Sequence, residues 1–267
     1  MNTLRIGDQG SEVMRLQRRL RDLHFSPGSI DGDFGPATQA AVIGFQKSEG
    51  LLADGIVGPR TAFALALLEE SRIGSILPGV TTTIVSRMFP FTQVDNIKTN
   101  LPFVLQSLLD FELTERPMVL MALATIRAET ESFRPISEYK SKYNTSPGGH
   151  PFDLYDRRTD LGNSRKGHGE KYKGRGFIQL TGKFNYEKYG PRISLGRRLS
   201  SDPDLANEPE HAAALLSVFL KDKEMPIKEA LMHGELATAR RLVNGGSHGL
   251  NRFTETYRHG ESLLADA

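Results

Sequence analysis

An eight-residue segment occurs twice near the start of this chain. Asp31-Gly32-Asp33-Phe34-Gly35-Pro36-Ala37-Thr38 returns as Asp54-Gly55-Ile56-Val57-Gly58-Pro59-Arg60-Thr61, every matched position 23 residues further on. In both copies Asp-Gly supplies a turn. Gly-Pro then opens a helix, because the N–H that proline lacks is not needed at the first helical position. Val13, Leu16, Leu20 and Leu23 follow helical spacing upstream, Val42 and Phe45 do so between the copies, and Phe63, Leu65 and Leu67 after them. The pattern confines the first seventy residues to a small three-helix unit with two equivalent loops.

Glu69, Glu70, Ser71 and Arg72 close that unit. Ile73 to Thr83 is rich in Gly, Pro and Thr, the composition of a linker. The expected division is 1–70, a linker over 71–83, and a larger domain over 84–267. Helical periodicity dominates the larger part. Val104, Leu105, Leu108 and Leu109 mark one helix, and Pro117 opens a second that is apolar nearly all round and therefore buried. Ala212 to Leu220 forms a third, and Ile227 to Val243 a fourth. No run alternates as a strand over six residues, and the glycine-rich stretches between 145 and 182 read as long loops. The fold class is mainly α, a small three-helix unit joined to a larger helical domain with extended loops.

Composition closes several routes. With no Cys in the chain, thiolate chemistry and Cys-based metal sites are excluded. The formal net charge of +2 argues against a nucleic-acid binder. Residues 1–70 carry 7 Lys+Arg and 9 Asp+Glu, and the remainder 27 and 23. Arg15, Arg18, Arg19 and Arg21 lie on the first helix as a solvated face or as an attraction to an anionic outer-membrane surface. Gly74 to Ser86, within the longest uncharged stretch, is too short for a membrane span. MNTLRIGDQGSEV contains no apolar core of a signal peptide, so synthesis in the cytoplasm is expected. The seven histidines form no HExxH and no i,i+4 pair, so neither a metal nor another cofactor is expected.

Leu16-Gln17, the two Asp-Gly-x-x-Gly-Pro-x-Thr loops and Phe45-Gln46 together resemble the peptidoglycan-binding domain family over residues 4–67. The resemblance implies contact with bacterial wall glycan or stem peptide between the loops, through Asp31, Thr38, Asp54 and Thr61. The plainer reading of those four is that they cap helices and close turns.

In the larger domain, Glu129 follows Ala122, Thr125 and Ile126 on one helical face. Partial desolvation of a carboxylic acid there suits a general acid. Glu138 lies nine residues on, which in an unbroken helix would be the opposite face. Pro135 interrupts the helix, so the chain can fold back and bring the two acids across a groove. Two carboxyls about 6.5–9.5 Å apart suit an inverting glycosidase. On spacing alone, two ordinary solvated carboxylates are the better reading.

Further on, Lys171-Tyr172-Lys173-Gly174-Arg175-Gly176-Phe177-Ile178-Gln179-Leu180-Thr181-Gly182 with Asn185-Tyr186 is similar to the signature of glycoside hydrolase family 19. Asp160-Leu161-Gly162-Asn163 and Val243-Asn244-Gly245-Gly246 also match, and the resemblance covers roughly 83–260. It implies a lysozyme-like domain with Glu129 as general acid, Glu138 as base and Thr181 holding the attacking water. Gln179, Asn185 and Asn244 fall on substrate-groove positions. Tyr186, Tyr143 and Phe184 are aromatic candidates for stacking on sugars, with core packing the alternative; Tyr186 is placed in the substrate site. Ala128-Glu129-Thr130-Glu131-Ser132 departs from the family's His-Glu-Thr/Ser-Gly-Gly, and Glu131 adds a negative charge expected to raise the affinity of Glu129 for its proton. Asp156 is the reserve base, and Arg175 reads as a loop tie.

The two resemblances together are those of a modular endolysin. They imply a monomeric muramidase acting on the cell wall after release from the cytoplasm. A chitinase and a non-catalytic wall-binding protein are the rivals.

Overall fold

The computed structural model describes residues 3–65, 75–246 and 248–264. The chain divides into two compact units, Met1–Gly74 and Ser75–Ala267. Leu67 and Glu69 to Arg72, expected in the last helix of the first unit, lie outside the described residues, as does the side chain of Phe63.

The first unit holds α1 (Ser11–Asp22), α2 (Pro36–Ser48) and α3 (Pro59–Ala64). Val13, Leu16, Leu20, Phe34, Val42, Phe45, Val57 and Leu65 form its core. The rings of Phe25 and Phe45 meet edge to face at 5.6 Å. Single antiparallel bridges, Leu4 with Val57 and Gln9 with Asp33, tie the N-terminal segment across both loops.

The second unit begins earlier than composition suggests. Ile76 and Val80 are buried in its core. Ile76 N–H donates to Thr114 O at 3.1 Å, and Thr81 Oγ1 accepts from Ile84 N–H at 3.3 Å as the N-cap of α4 (Thr82–Met88). Residues 75–83 are therefore part of this unit and not a linker; two apolar side chains outweigh the Gly, Pro and Thr around them. Next come α5 (Val94–Asp110) and α6 (Arg116–Glu129). Every residue of α6 from Met118 to Ala128 is buried, as an all-round apolar helix must be.

Strand β1 (Ile136–Ser137) pairs antiparallel with β2 (Arg175–Gly176), Ile136 opposite Gly176 and Ser137 opposite Arg175. Short helices α7 (His168–Lys171), α8 (Lys183–Tyr189) and α9 (Arg198–Ser201) punctuate the loop region. Then follow α10 (Pro209–Lys221), α11 (Glu224–Met232), α12 (Leu236–Asn244) and α13 (Leu250–Leu263). The single helix expected over 227–243 is thus two, because Gly234 at φ 71° turns the chain between them. Helix α13 lies along α6 and α10 along α5. A Cβ on Gly260 would stand 2.4 Å from Leu120 Cδ2, so glycine permits that close approach.

The end of α6 is set before Pro135 is reached. Thr130 is its C-cap, and Glu131 and Phe133 both adopt left-handed φ, 51° and 54°. The fully buried Phe133 ring packs on Phe89 and Phe177 at 5.0 and 6.0 Å. Asn96 and Asn100 of α5 donate to Ser132 O and Phe133 O at 3.0 and 3.1 Å. Tertiary packing therefore holds a reversal that local sterics disfavour by about 1–3 kcal/mol per residue.

Candidate active site

A cavity of about 540 Å³ opens in the second unit where this reversal delivers the chain to β1. Its lining includes Glu129, Glu138, Tyr155, Gln179, Thr181, Asn185, Asn244 and His248. Both acids and all three of the proposed groove amides therefore border one space.

Glu129 stands at the C-terminus of α6 with its side chain 13% exposed. Its Oε1 accepts from Arg240 Nη2 at 2.7 Å, and Oε2 has no partner among the described residues. The Arg240 side chain is fully buried. Its Nε and Nη2 also donate to His248 O, at 3.3 and 3.0 Å. The sequence reading did not single out Arg240. Its place on a helical face with Leu236 and Val243 points to burial but not to a partner 111 residues away.

Glu138 directly follows β1, and its backbone N–H donates to Gly174 O at 2.8 Å. Its carboxylate accepts three hydrogen bonds. Asn144 Nδ2 and Tyr155 O–H reach Oε1 at 2.9 and 2.8 Å, and Gly174 N–H reaches Oε2 at 3.2 Å. Burial and the neighbouring Glu138 charge push the Tyr155 phenol above its ordinary range, so it stays a donor.

The strand pairing also sets Gly174 beside Glu138. A Cβ built on Gly174 would lie 2.9 Å from Gln179 Oε1, 3.2 Å from Thr181 Oγ1 and 3.3 Å from Glu138 Oε2. With no Cβ, Gly174 lets these three oxygens approach its backbone closely. Thr181 O–H donates to Gln179 O at 2.8 Å, and Gln179 Nε2 donates to Ile136 O and Gly176 O at 2.9 and 3.0 Å. Asn185 Nδ2 is held by Thr181 O at 2.7 Å. Asn244 Nδ2 donates to His248 O, and its Oδ1 accepts from Gly246 N–H, both at 3.0 Å.

Several expectations are corrected. Tyr186 is fully buried and does not line the cavity. Its O–H donates to Lys173 O at 2.8 Å and accepts from Arg175 Nη1 at 3.2 Å; burial pushes its acidity to about 12. It supports the Gly174-Arg175-Gly176 loop from behind and cannot stack on a sugar. Arg175 reaches Asp204, Lys171 O and Lys173 O as well, which makes it the tie of that loop. Asp156 is absent from the cavity lining and accepts from Gly167 N–H, Gly169 N–H and the His150 ring. Glu131 is also absent from that lining. Arg127 and Arg252 pair with it at 2.8 and 3.1 Å, and the Arg127 hydrogen bond foremost holds its carboxyl below the usual range. Its charge is compensated where it stands.

In the first unit, the four residues proposed to touch the wall are the anchors of two identical clamps. Gln17 Nε2 donates to Asp31 Oδ1, Asp33 O and Thr38 Oγ1 at 2.9, 3.0 and 3.2 Å, and its Oε1 accepts from Gly32 N–H. Gln46 makes the same set with Asp54 Oδ1, Ile56 O, Thr61 Oγ1 and Gly55 N–H at 2.9–3.0 Å. Thr38 and Thr61 are buried, so neither hydroxyl is available to a ligand. Asp31 and Asp54 close their turns by accepting from Asp33 and Ile56 N–H. The helix cap on α2 is Gly35, with no side-chain bond. Among the described residues, no three His, Asp or Glu side chains gather as metal ligands.

Residues 9–65 match the family described as "Putative peptidoglycan binding domain". A 69-residue stretch is 45% identical to the N-acetylmuramoyl-L-alanine amidase CwlM of Mycobacterium tuberculosis, covering 26% of this chain and 17% of that protein. A 119-residue stretch is 33% identical to a glycosyl hydrolase family 19 domain-containing protein of Haemophilus influenzae, covering 44% of this chain and 54% of that one. Among solved structures, chitinase C from Streptomyces griseus aligns at 17% identity over 72% of this chain and 78% of that chain, with a TM-score of 0.45. The chain spans about half or less of the curated relatives it matches.

Proposed function

We propose that the chain is a cell-wall glycan hydrolase, a muramidase-type endolysin that cuts β-1,4 bonds of peptidoglycan with inversion. The observation that carries this reading is the pair Glu129 and Glu138 bordering one cavity in different hydrogen-bonding environments. Glu138, surrounded by donors, is the base. It takes a proton from a water held with Thr181, and the water oxygen bonds to the anomeric carbon. As the bond from that carbon to the glycosidic oxygen breaks, Glu129 gives the leaving oxygen its proton. Arg240 occupies Oε1, which leaves Oε2 to carry that proton. Asn185, Gln179 and Asn244 border the same space and offer amides to sugar hydroxyls and N-acetyl groups.

The peptidoglycan-binding match supports wall recognition by the first unit. The reading includes a monomer, no cofactor, and action at the wall. Glu129→Gln keeps an acceptor for Arg240 but no transferable proton, and Glu138→Gln removes the base. Each is expected to lower release of reducing ends from purified murein by more than about 100-fold. Mass analysis of the fragments identifies the bond. Release of free amino groups in place of reducing ends would make the chain an amidase, and faster turnover of colloidal chitin than of murein would make it a chitinase.

A further inference from the structure

The cavity bears two carboxylates, yet the polymer proposed to enter it is itself acidic. Murein carries stem peptides ending in carboxylates, whereas chitin is uncharged. Something at the mouth must offset the repulsion. Residues 139–143, which directly follow Glu138, form an exposed lip. Tyr139 lines the cavity and is 77% exposed, and Tyr143 is 78% exposed. Lys140 and Lys142 between them are also exposed. The Lys142 ammonium lies 5.2 Å from the centroid of the Tyr143 ring. Neither lysine has a carboxylate partner among the described residues.

The lip is also held in shape. Fully buried Asn144 donates to Glu138 Oε1 and to Tyr139 O, both at 2.9 Å. Its Oδ1 accepts from Ser141 N–H at 2.8 Å and from the Thr145 hydroxyl at 2.9 Å. Ser141 Oγ accepts from Tyr143 N–H at 3.2 Å. One side chain thus fixes both the base and the turn that presents the two cations. Pre-ordering of this kind removes part of the entropic cost of binding.

We propose that this lip is a specificity site for the acidic stem peptide. Lys140 and Lys142 bind its carboxylates, while Tyr139 supports the sugar entering the cavity. The inference rests on the glycan-hydrolase reading above and selects murein over neutral chitin.

The test pairs a charge-reversed enzyme, Lys140→Glu with Lys142→Glu, with murein whose carboxylates have been converted to neutral amides. Neither lysine lies in the cavity lining. On native murein the double variant is expected to lose about tenfold in kcat/KM. On amidated murein, variant and wild type are expected to agree within about twofold, and raising salt should slow only the wild type on native murein. Equal rates of variant and wild type on native murein, or the same loss on both substrates, would overturn the proposal. A wild type that frees no reducing ends from either substrate is a separate result, and it removes the hydrolase reading itself.

Discussion

Arg240 brings a guanidinium into a helix face with no exposed surface and gives one hydrogen bond to Glu129. Breaking a buried pair of this kind costs about 3–5 kcal/mol, so the arginine serves the fold as well as the acid's orientation. At the same scale, Gly174 is defined by what it lacks. Its φ is not in the left-handed region, so alanine is tolerated by the backbone. The added methyl would press on Gln179 Oε1, Thr181 Oγ1 and Glu138 Oε2 and shift the groups proposed to hold the attacking water. Gly174→Ala is expected to fold with a melting temperature within a few degrees of wild type and to lose about 100-fold in kcat with KM little changed, read from steady-state reducing-end assays. Unchanged kcat would place the water elsewhere. Motif and spacing singled out Glu129, Glu138 and Thr181, and the fold sets all three on one cavity. Arg240, Asn144 and Tyr155 were not singled out, because they reach the acids across 111, 6 and 17 residues, and only the folded chain brings them there.

At the scale of elements, the sequence marks where apolar faces run better than where the chain reverses. The buried helix over 116–129 was readable from its composition, since no solvated face interrupts it. Its end was not, since the reversal depends on Phe133 packing and on Asn96 and Asn100 from another helix. The linker failed for the same reason, with Ile76 and Val80 finding a core. Local charge can be decisive at such junctions. Asp222, after α10, binds Lys188 at 2.6 Å, Tyr189 O–H at 3.1 Å, and Arg192. Burial alone would raise its carboxyl, but Lys188, Arg192 and Tyr189 together hold it below the ordinary aspartate range. A depressed folded-state value means stability that is complete above the unfolded value, about 3.9, and is lost as pH falls through the folded one. Wild type should therefore melt higher than Asp222→Asn at pH 6, with the gap closing below about pH 4. A gap that stayed constant to pH 2 would show that the cluster contributes no proton-linked stability.

At the scale of the whole molecule, two units with separate cores divide the labour: one is matched to wall binding, and the other holds the paired acids. The doubled loop motif identified the first unit from sequence, and its repeated polar residues bond Gln17 and Gln46. The clamps use both buried threonines, while Asp31 and Asp54 are exposed and bond the clamps through Oδ1 alone. Each glutamine replaced by alanine leaves buried donors and acceptors unmatched, at about 1–3 kcal/mol per group. Gln17→Ala with Gln46→Ala in the full chain should loosen both loops and weaken co-sedimentation with insoluble murein at least about tenfold. Hydrolysis of short soluble glycan fragments should proceed at the wild-type rate, because no residue of the cavity belongs to the first unit. Equal loss on soluble and insoluble substrates would show that wall binding and cleavage are not separable in this chain, and retained sedimentation would move the wall contact away from the clamped loops.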